Sequence, residues 1–238
     1  MKGPKNGIIK ARFVNFNKKN GASLGRGALL ISVGQAYHEG EKLAAALRLI
    51  NHSFDECHIM VCDTLQRINI EIVDSHCSDE DSYNLALDAG KAWIDRNREI
   101  IERSLDIPVK FFRWDYWLSH PDYIELKREI DKAYIYDSSF RSAIINTTLV
   151  FIKRFQERIQ AKEIVFQHIF DCCVEYLKEE CPIILPLWSK LGYNYVIYPS
   201  AETEALTAAY RLLVPKEEER VCKWLSLKFK RYAVLEPA

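Results

Sequence analysis

The sequence predicts an α/β fold in which a parallel sheet is flanked by helices, and three observations carry that prediction. Short apolar runs of strand length recur along the chain. Segments with helical apolar spacing separate them, and glycine or proline marks the changes. A strand–helix–strand succession of this kind builds parallel sheets through right-handed crossovers. At 238 residues the chain suffices for one large domain. No internal repeat, long linker or composition break divides it, so residues 27–238 are expected to form one domain behind a basic arm, residues 1–26.

The elements follow in order. Gly27-Ala28-Leu29-Leu30-Ile31-Ser32-Val33 reads as a buried strand. Leu43, Ala46, Leu47 and Ile50 place a helix around Glu39–Ile50, and Cys57–Cys62 reads as a second buried strand. A long helix is expected over roughly Ser82–Leu105, a third strand over Pro108–Arg113, and a helix from Pro121 to about Tyr134. Helical patterns run from about Phe140 to Cys181, where Pro182 marks a stop. Tyr195–Tyr198 is a late strand, and a C-terminal helix is expected from near Glu217.

Composition excludes several classes. No apolar run reaches the roughly 20 residues of a membrane span, and the N-terminus lacks the apolar core of a secretory signal, so a cytoplasmic protein is expected. The seven cysteines form neither a C-x-x-C pair nor a Cys/His cluster at zinc spacing, so reduced thiols and no metal site are expected. Net charge is zero, yet no acidic residue precedes Glu39, while Lys2, Lys5, Lys10, Arg12, Lys18, Lys19 and Arg26 are basic. That asymmetry fits local contact with an anionic partner such as RNA, or a solvated arm.

Parallel sheets bind ligands beyond the carboxyl ends of their strands, and Ser32 and Tyr198 both stand at such ends. A serine in a strand-to-helix turn can expose its hydroxyl while neighbouring N–H groups face a reacting carbonyl. The hydrolase elbow G-x-S-x-G is absent, because Leu30 occupies the first glycine position. Tyr176 and Glu180, four residues apart, share a helix face. A phenol and a carboxylate there suit a substrate ammonium, or equally an amphipathic helix with a core-edge tyrosine and a solvent-facing glutamate.

Taken together the motifs resemble the cyclodipeptide synthases. The strand Leu29-Leu30-Ile31-Ser32 matches the family's nucleophile strand, and Asp95-Arg96-Asn97-Arg98 falls where relatives carry a basic helix. Tyr176-Leu177-Lys178-Glu179-Glu180-Cys181-Pro182 is similar to the family's Y-x-x-x-E-x-P signature, and Tyr198-Pro199 closes the series. Gln35 and Pro199 match the branch with a variable residue after the serine and Tyr-Pro later, the XYP type. The resemblance spans roughly residues 27–212.

The resemblance implies a Rossmann-like domain akin to the class I tyrosyl- and tryptophanyl-tRNA synthetases, acting as a monomer on aminoacyl-tRNAs without a cofactor. Ser32 would be acylated in ping-pong fashion, passing through aminoacyl and dipeptidyl esters to a cyclic dipeptide. Tyr176 and Glu180 would hold the α-ammonium, and Tyr198 would assist proton transfer. Pocket residues would be Ala28, Leu30, Gln35, Ile183, Val196 and Pro199. Leu30, where relatives often have glycine, implies a small first amino acid. Lys91, Arg96, Arg98 and Arg103 would contact tRNA, with Lys153, Arg154 and Arg158 as a second possible surface. No histidine is evident as a base for Ser32, and His38 is read as structural or exposed. Two other readings stay open: a serine esterase or thioesterase, and a non-catalytic tRNA- or nucleotide-binding Rossmann module. A tRNA synthetase is disfavoured, since no H-I-G-H-like or K-M-S-K-S-like segment is present.

Overall fold

The computed structural model describes residues 7–14, 16, 23–74, 76–156, 166–215 and 222–233. Its strands are β1 (Gly7–Phe13), β2 (Arg26–Ser32), β3 (Glu56–Cys62), β4 (Val109–Arg113), β5 (Tyr195–Tyr198) and β6 (Lys223–Ala233). They form one sheet in the order β1-β6-β5-β2-β3-β4. Five strands are parallel, and β1 runs antiparallel to β6, so the sheet is mixed at one edge. The helices are α1 (Gly40–Asn51), α2 (Arg67–Val73), α3 (Asp79–Ser104), α4 (Trp114–Leu118), α5 (Pro121–Tyr136), α6 (Ser138–Gln156), α7 (Phe166–Glu180), α8 (Trp188–Lys190) and α9 (Glu204–Leu213). Among the described residues no helix is long and apolar enough to cross a membrane.

Each strand divides its side chains between two cores, as a period of two demands. Leu29 and Ile31 of β2 join Ile59, Val61, Ile197 and Leu225 under α1 and α3. Ala28 and Leu30 face the other way with Met60, Cys62 and Val196, beneath α5, α7 and α9. Both faces of β2 and β3 are buried, which explains why they read as continuous apolar runs rather than alternating ones.

Two expectations need correction. The C-terminal helix is not formed over residues 223–233, which make β6; Glu217 itself lies outside the described residues. The physical reason is period-two alternation, with Leu225 and Leu227 buried and Lys223 and Lys228 exposed. Part of the basic arm, Gly7–Phe13, is an edge strand with Ile9 buried. Lys2, Lys5, Lys18, Lys19 and Arg158 lie outside the described residues.

Pro182 does end α7 within two residues, but the chain then takes an irregular turn through Ile183–Leu187. Leu185 sits at φ 78°, ψ −62°, the values of a strained γ-turn. That turn carries Ile184 to the wall of the cavity described next.

Candidate active site

Ser32 is the last residue of β2, where the backbone turns away from the sheet. Gln35 N–H donates to the Ser32 carbonyl at 3.3 Å, and Gly34 supplies the positive φ, 85°, that such a turn requires. A short helical turn, Ala36–His38, follows and folds back over the strand end. It brings one side chain onto Ser32 and another onto Tyr198 beside it, which sequence spacing alone does not reveal.

The first is His38. It is buried, and the Ser32 N–H donates to its Nδ1 at 3.0 Å. Nδ1 also lies 3.3 Å from the Ser32 carbonyl oxygen, so it meets both backbone groups of Ser32, accepting from the N–H in one tautomer and donating to the carbonyl in the other. Burial holds the imidazole pKa down at about 4, so the ring is neutral at physiological pH. The Nδ1 contacts are with the Ser32 backbone, so His38 packs against the strand end at the serine.

The second is Tyr37. Ser32 Oγ lies 2.9 Å from Tyr198 Oη, and Tyr198 Oη lies 2.8 Å from Tyr37 Oη. Three hydroxyls thus form a chain in which each can donate or accept. Burial and the neighbouring Tyr37 push the Tyr198 phenol well up, so it stays protonated.

Tyr176 and Glu180 of α7 close the far wall. Glu180 is buried, contrary to a solvent-facing reading, and its pKa is raised to about 8, chiefly by burial and secondarily by Glu179. Glu179 points elsewhere: Arg67 grips it with both guanidinium arms, and Trp114 Nε1 donates to it at 2.9 Å. Adjacent carboxylates thus have opposite fates, one paired and one facing the cavity. Tyr176 is likewise raised by burial and by Glu180, and stays a neutral phenol.

These groups line one cavity of about 300 Å³ together with Leu30, Pro199 and Trp224. Gln35 lines an adjoining pocket of about 160 Å³ that shares Ser32, Tyr37, Tyr176 and Tyr198. Arg154 borders both. Ala28, Ile183 and Val196 are not brought to either wall; all three are fully buried in the core below. Among the described residues no group of three His, Cys, Asp or Glu could hold a metal ion.

The basic residues of α3 are not brought to the cavity either. Arg96 pairs with Glu39 at 2.9 Å, Arg98 with Glu102 at 3.5 Å, and Arg103 with Glu99. Lys91 is exposed. Such exposed pairs hold their partners weakly.

Sequence reasoning also missed Asp63, one residue past β3 at the same edge. It is wholly buried and accepts hydrogen bonds from Thr64 N–H, Trp114 N–H and Arg113 Nε. Gly90 of α3 packs so closely that an added Cβ would lie 2.3 Å from the Asp63 side chain.

Comparison with known proteins decides the family. No family model and no curated protein matches the chain. Among solved structures, a cyclodipeptide synthase from Fluoribacter dumoffii is 34% identical, with a TM-score of 0.87, covering 95% of this chain and 100% of that one. The chain belongs to the cyclodipeptide synthase family. A synthase from Candidatus Glomeribacter gigasporarum bound to Phe-tRNAPhe is 15% identical with a TM-score of 0.70, covering 93% of each chain. A Mycobacterium tuberculosis protein, described as showing that these enzymes are related to type I tRNA synthetases, is 15% identical with a TM-score of 0.61, covering 94% of each chain. The last two are likenesses of fold.

Proposed function

We propose that this synthase joins two aminoacyl groups from aminoacyl-tRNAs into a cyclic dipeptide through esters on Ser32. The observation that carries the residue assignment is the hydroxyl chain Ser32–Tyr198–Tyr37, opening on the cavity that Glu180 and Tyr176 wall.

In the first transfer, Ser32 Oγ attacks the ester carbonyl of an aminoacyl-tRNA. Its proton passes to Tyr198 Oη, whose own proton moves to the departing ribose hydroxyl. One ester replaces another, so neither ATP nor a redox partner enters the balance. In the second, the α-amine of aminoacyl-Ser32 must lose a proton before attacking the next aminoacyl-tRNA. A free α-ammonium has a pKa of about 8, and Glu180 is raised to about 8, so the two are matched for exchange. The amine then forms the amide bond, the second tRNA leaves, and a dipeptidyl ester remains. Intramolecular attack of its terminal amine on the Ser32 ester closes the ring and restores the serine.

Gln35 and Pro199 support assignment to the XYP branch. Leu30, on the wall beside Ser32, supports a small first side chain. Lys91, Arg96, Arg98 and Arg103 stay candidates for tRNA contact on α3, since Lys91 is exposed and the surface pairs of the three arginines are readily exchanged for phosphates.

The test is product formation from a charged tRNA pool, read by mass spectrometry together with the intact protein. Wild type should release a cyclic dipeptide and carry an aminoacyl adduct, and Ser32→Ala should show neither. Full activity in Ser32→Ala would sink the mechanism. An adduct with small activated esters but not with aminoacyl-tRNA would favour the esterase reading.

A further inference from the structure

Two carboxylates end α7 side by side, and only one is tied down. Glu179 accepts from Arg67 Nη1 at 2.9 Å, from Arg67 Nη2, and from Trp114 Nε1 at 2.9 Å. Arg67 Nη1 also donates to the Thr64 carbonyl at 2.9 Å, so the guanidinium joins the corner after β3 to the last turn of α7. The next residue, Glu180, is buried on the cavity wall, and no hydrogen bond holds its carboxyl among the described residues. Its direction is therefore set by the last turn of α7, which the Arg67–Glu179 pair pins.

A buried ion pair is a poor device for stability alone. The Arg67 and Glu179 side chains are only 24% and 11% exposed, so both charges lose much of their hydration, and an apolar pair of similar volume often holds such a turn as well. The ion pair supplies what an apolar pair could not, a fixed charge balance one residue from Glu180. The other titratable groups around Glu180 do not supply it. Cys62 on β3 and Cys181 after α7 are held as thiols by burial, and Tyr176 and Tyr198 as phenols, with Tyr37 beyond Tyr198. Tyr123 of α5, close to Glu179 and Arg67, is likewise kept neutral by burial. Arg154 stands at the cavity rim, exposed to the solvent that screens it. Burial and the Glu179 charge raise the Glu180 carboxyl, and Arg67 is the cation set against that charge.

We propose that Arg67, acting through Glu179, is a positioning residue for the reaction: it aims Glu180 into the cavity and balances the adjacent charge, so that Glu180 can take the proton of the substrate α-ammonium. The inference rests on the role given to Glu180 above and assigns the residue on which that role depends.

The test titrates the carboxyl directly, in the full chain without substrate, by the infrared band of a protonated carboxyl that Glu180→Gln lacks. Glu179→Gln keeps an acceptor for Trp114 but leaves the Arg67 cation unbalanced, so the midpoint should fall by about one pH unit. Arg67→Met leaves the two carboxylates side by side without their cation, so the upper midpoint of the pair should rise by about one unit. Arg67→Met/Glu179→Gln removes both charges, and the midpoint should return close to wild type. A residue that only braced the turn would not move the midpoint in opposite directions. With aminoacyl-tRNAs at pH 7, amide formation on aminoacyl-Ser32 should slow by up to about tenfold in Arg67→Met and recover in Arg67→Lys.

If Arg67→Met does not fold, the other two variants still decide. An unmoved midpoint in Glu179→Gln overturns the proposal, and so does a double variant that stays as low as Glu179→Gln. Wild type that releases cyclic dipeptide beside unmoved midpoints leaves the proposed function standing and removes only Arg67. Opposite shifts in a chain that releases no product remove the function, and the positioning role with it.

Discussion

Ser32 Oγ and Tyr198 Oη meet at 2.9 Å at the carboxyl ends of adjacent parallel strands, although 166 residues separate them in sequence. The contact follows from strand pairing, since Leu29 is in register with Ile197 and both strands end just beyond. Removing the phenol oxygen should therefore leave the fold intact while breaking the proton path. Tyr198→Phe is expected to lower the rate of Ser32 acylation by about 10²–10⁴-fold, the usual worth of a positioned acid–base group. Rapid-quench detection of the acyl-enzyme, beside an unchanged circular dichroism spectrum, checks this.

Tyr37 sits one step further along the same chain, 2.8 Å from Tyr198 Oη. It orients the relay without reaching the serine. Tyr37→Phe removes one neutral hydrogen bond, worth about 1 kcal/mol, so acylation should slow by only about five- to tenfold. Turnover should fall with KM nearly unchanged. A loss as large as that of Tyr198→Phe would place Tyr37 in the transfer itself.

Much of this site is legible in the sequence, and the misses have definite causes. The strand ends at Ser32 and Tyr198 and the end of α7 were visible because apolar runs and prolines mark where those elements stop, while the choice of those side chains came from the family resemblance. Tyr37 and His38 were not, because a three-residue helical turn doubles them back onto Tyr198 and Ser32. Ala28 and Val196 have the correct strand parity, but they lie deeper than Leu30 and Tyr198, below the cavity floor. Strand β6 escaped because the charged run before it suggests a helix, while the alternation in Trp224–Lys230 sits among lysines that mask it.

Glu180 gives two linked pH effects. Its carboxyl is protonated below about 8 in the empty site, so kcat/KM for cyclic dipeptide formation should rise with pH towards that value. Glu180→Gln should be slow, and the rise it keeps is that of the substrate's own α-ammonium, whose pKa is also about 8. Stability runs the other way. The folded pKa lies above the ordinary value of 4.5, so between about 4.5 and 8 the folded chain holds a proton that the unfolded chain has released. The unfolded state thus binds fewer protons, and stability falls as pH rises through that window. Thermal melts from pH 5 to 9 should show wild type losing stability relative to Glu180→Gln.

Asp63 is a structural counterpart. It is fully buried, tied to Arg113 and to two backbone N–H groups at the strand edge. Asp63→Ala strands the guanidinium and both donors, so urea unfolding should show a loss of about 3–5 kcal/mol. Gly90→Ala should also destabilise, by about 1–3 kcal/mol, since its methyl group would enter the space of the Asp63 side chain.

Leu30 sets the last expectation. Its side chain is buried between the sheet and the cavity, two residues before Ser32 on the same strand face. The volume it fills is closed to an aminoacyl side chain attached at Ser32. Leu30→Ala opens that volume, at a stability cost of about 2–5 kcal/mol for a buried leucine. The truncated enzyme should accept a bulkier first residue, seen as new masses in the cyclic dipeptide spectrum, while acylation by small amino acids persists. Because the gain comes from space rather than chemistry, the Ser32–Tyr198 relay should act equally on both substrates. If Leu30→Ala releases only the original products, the first side chain lies on another wall, and the adjoining pocket beside Gln35 and Asn69 becomes its place.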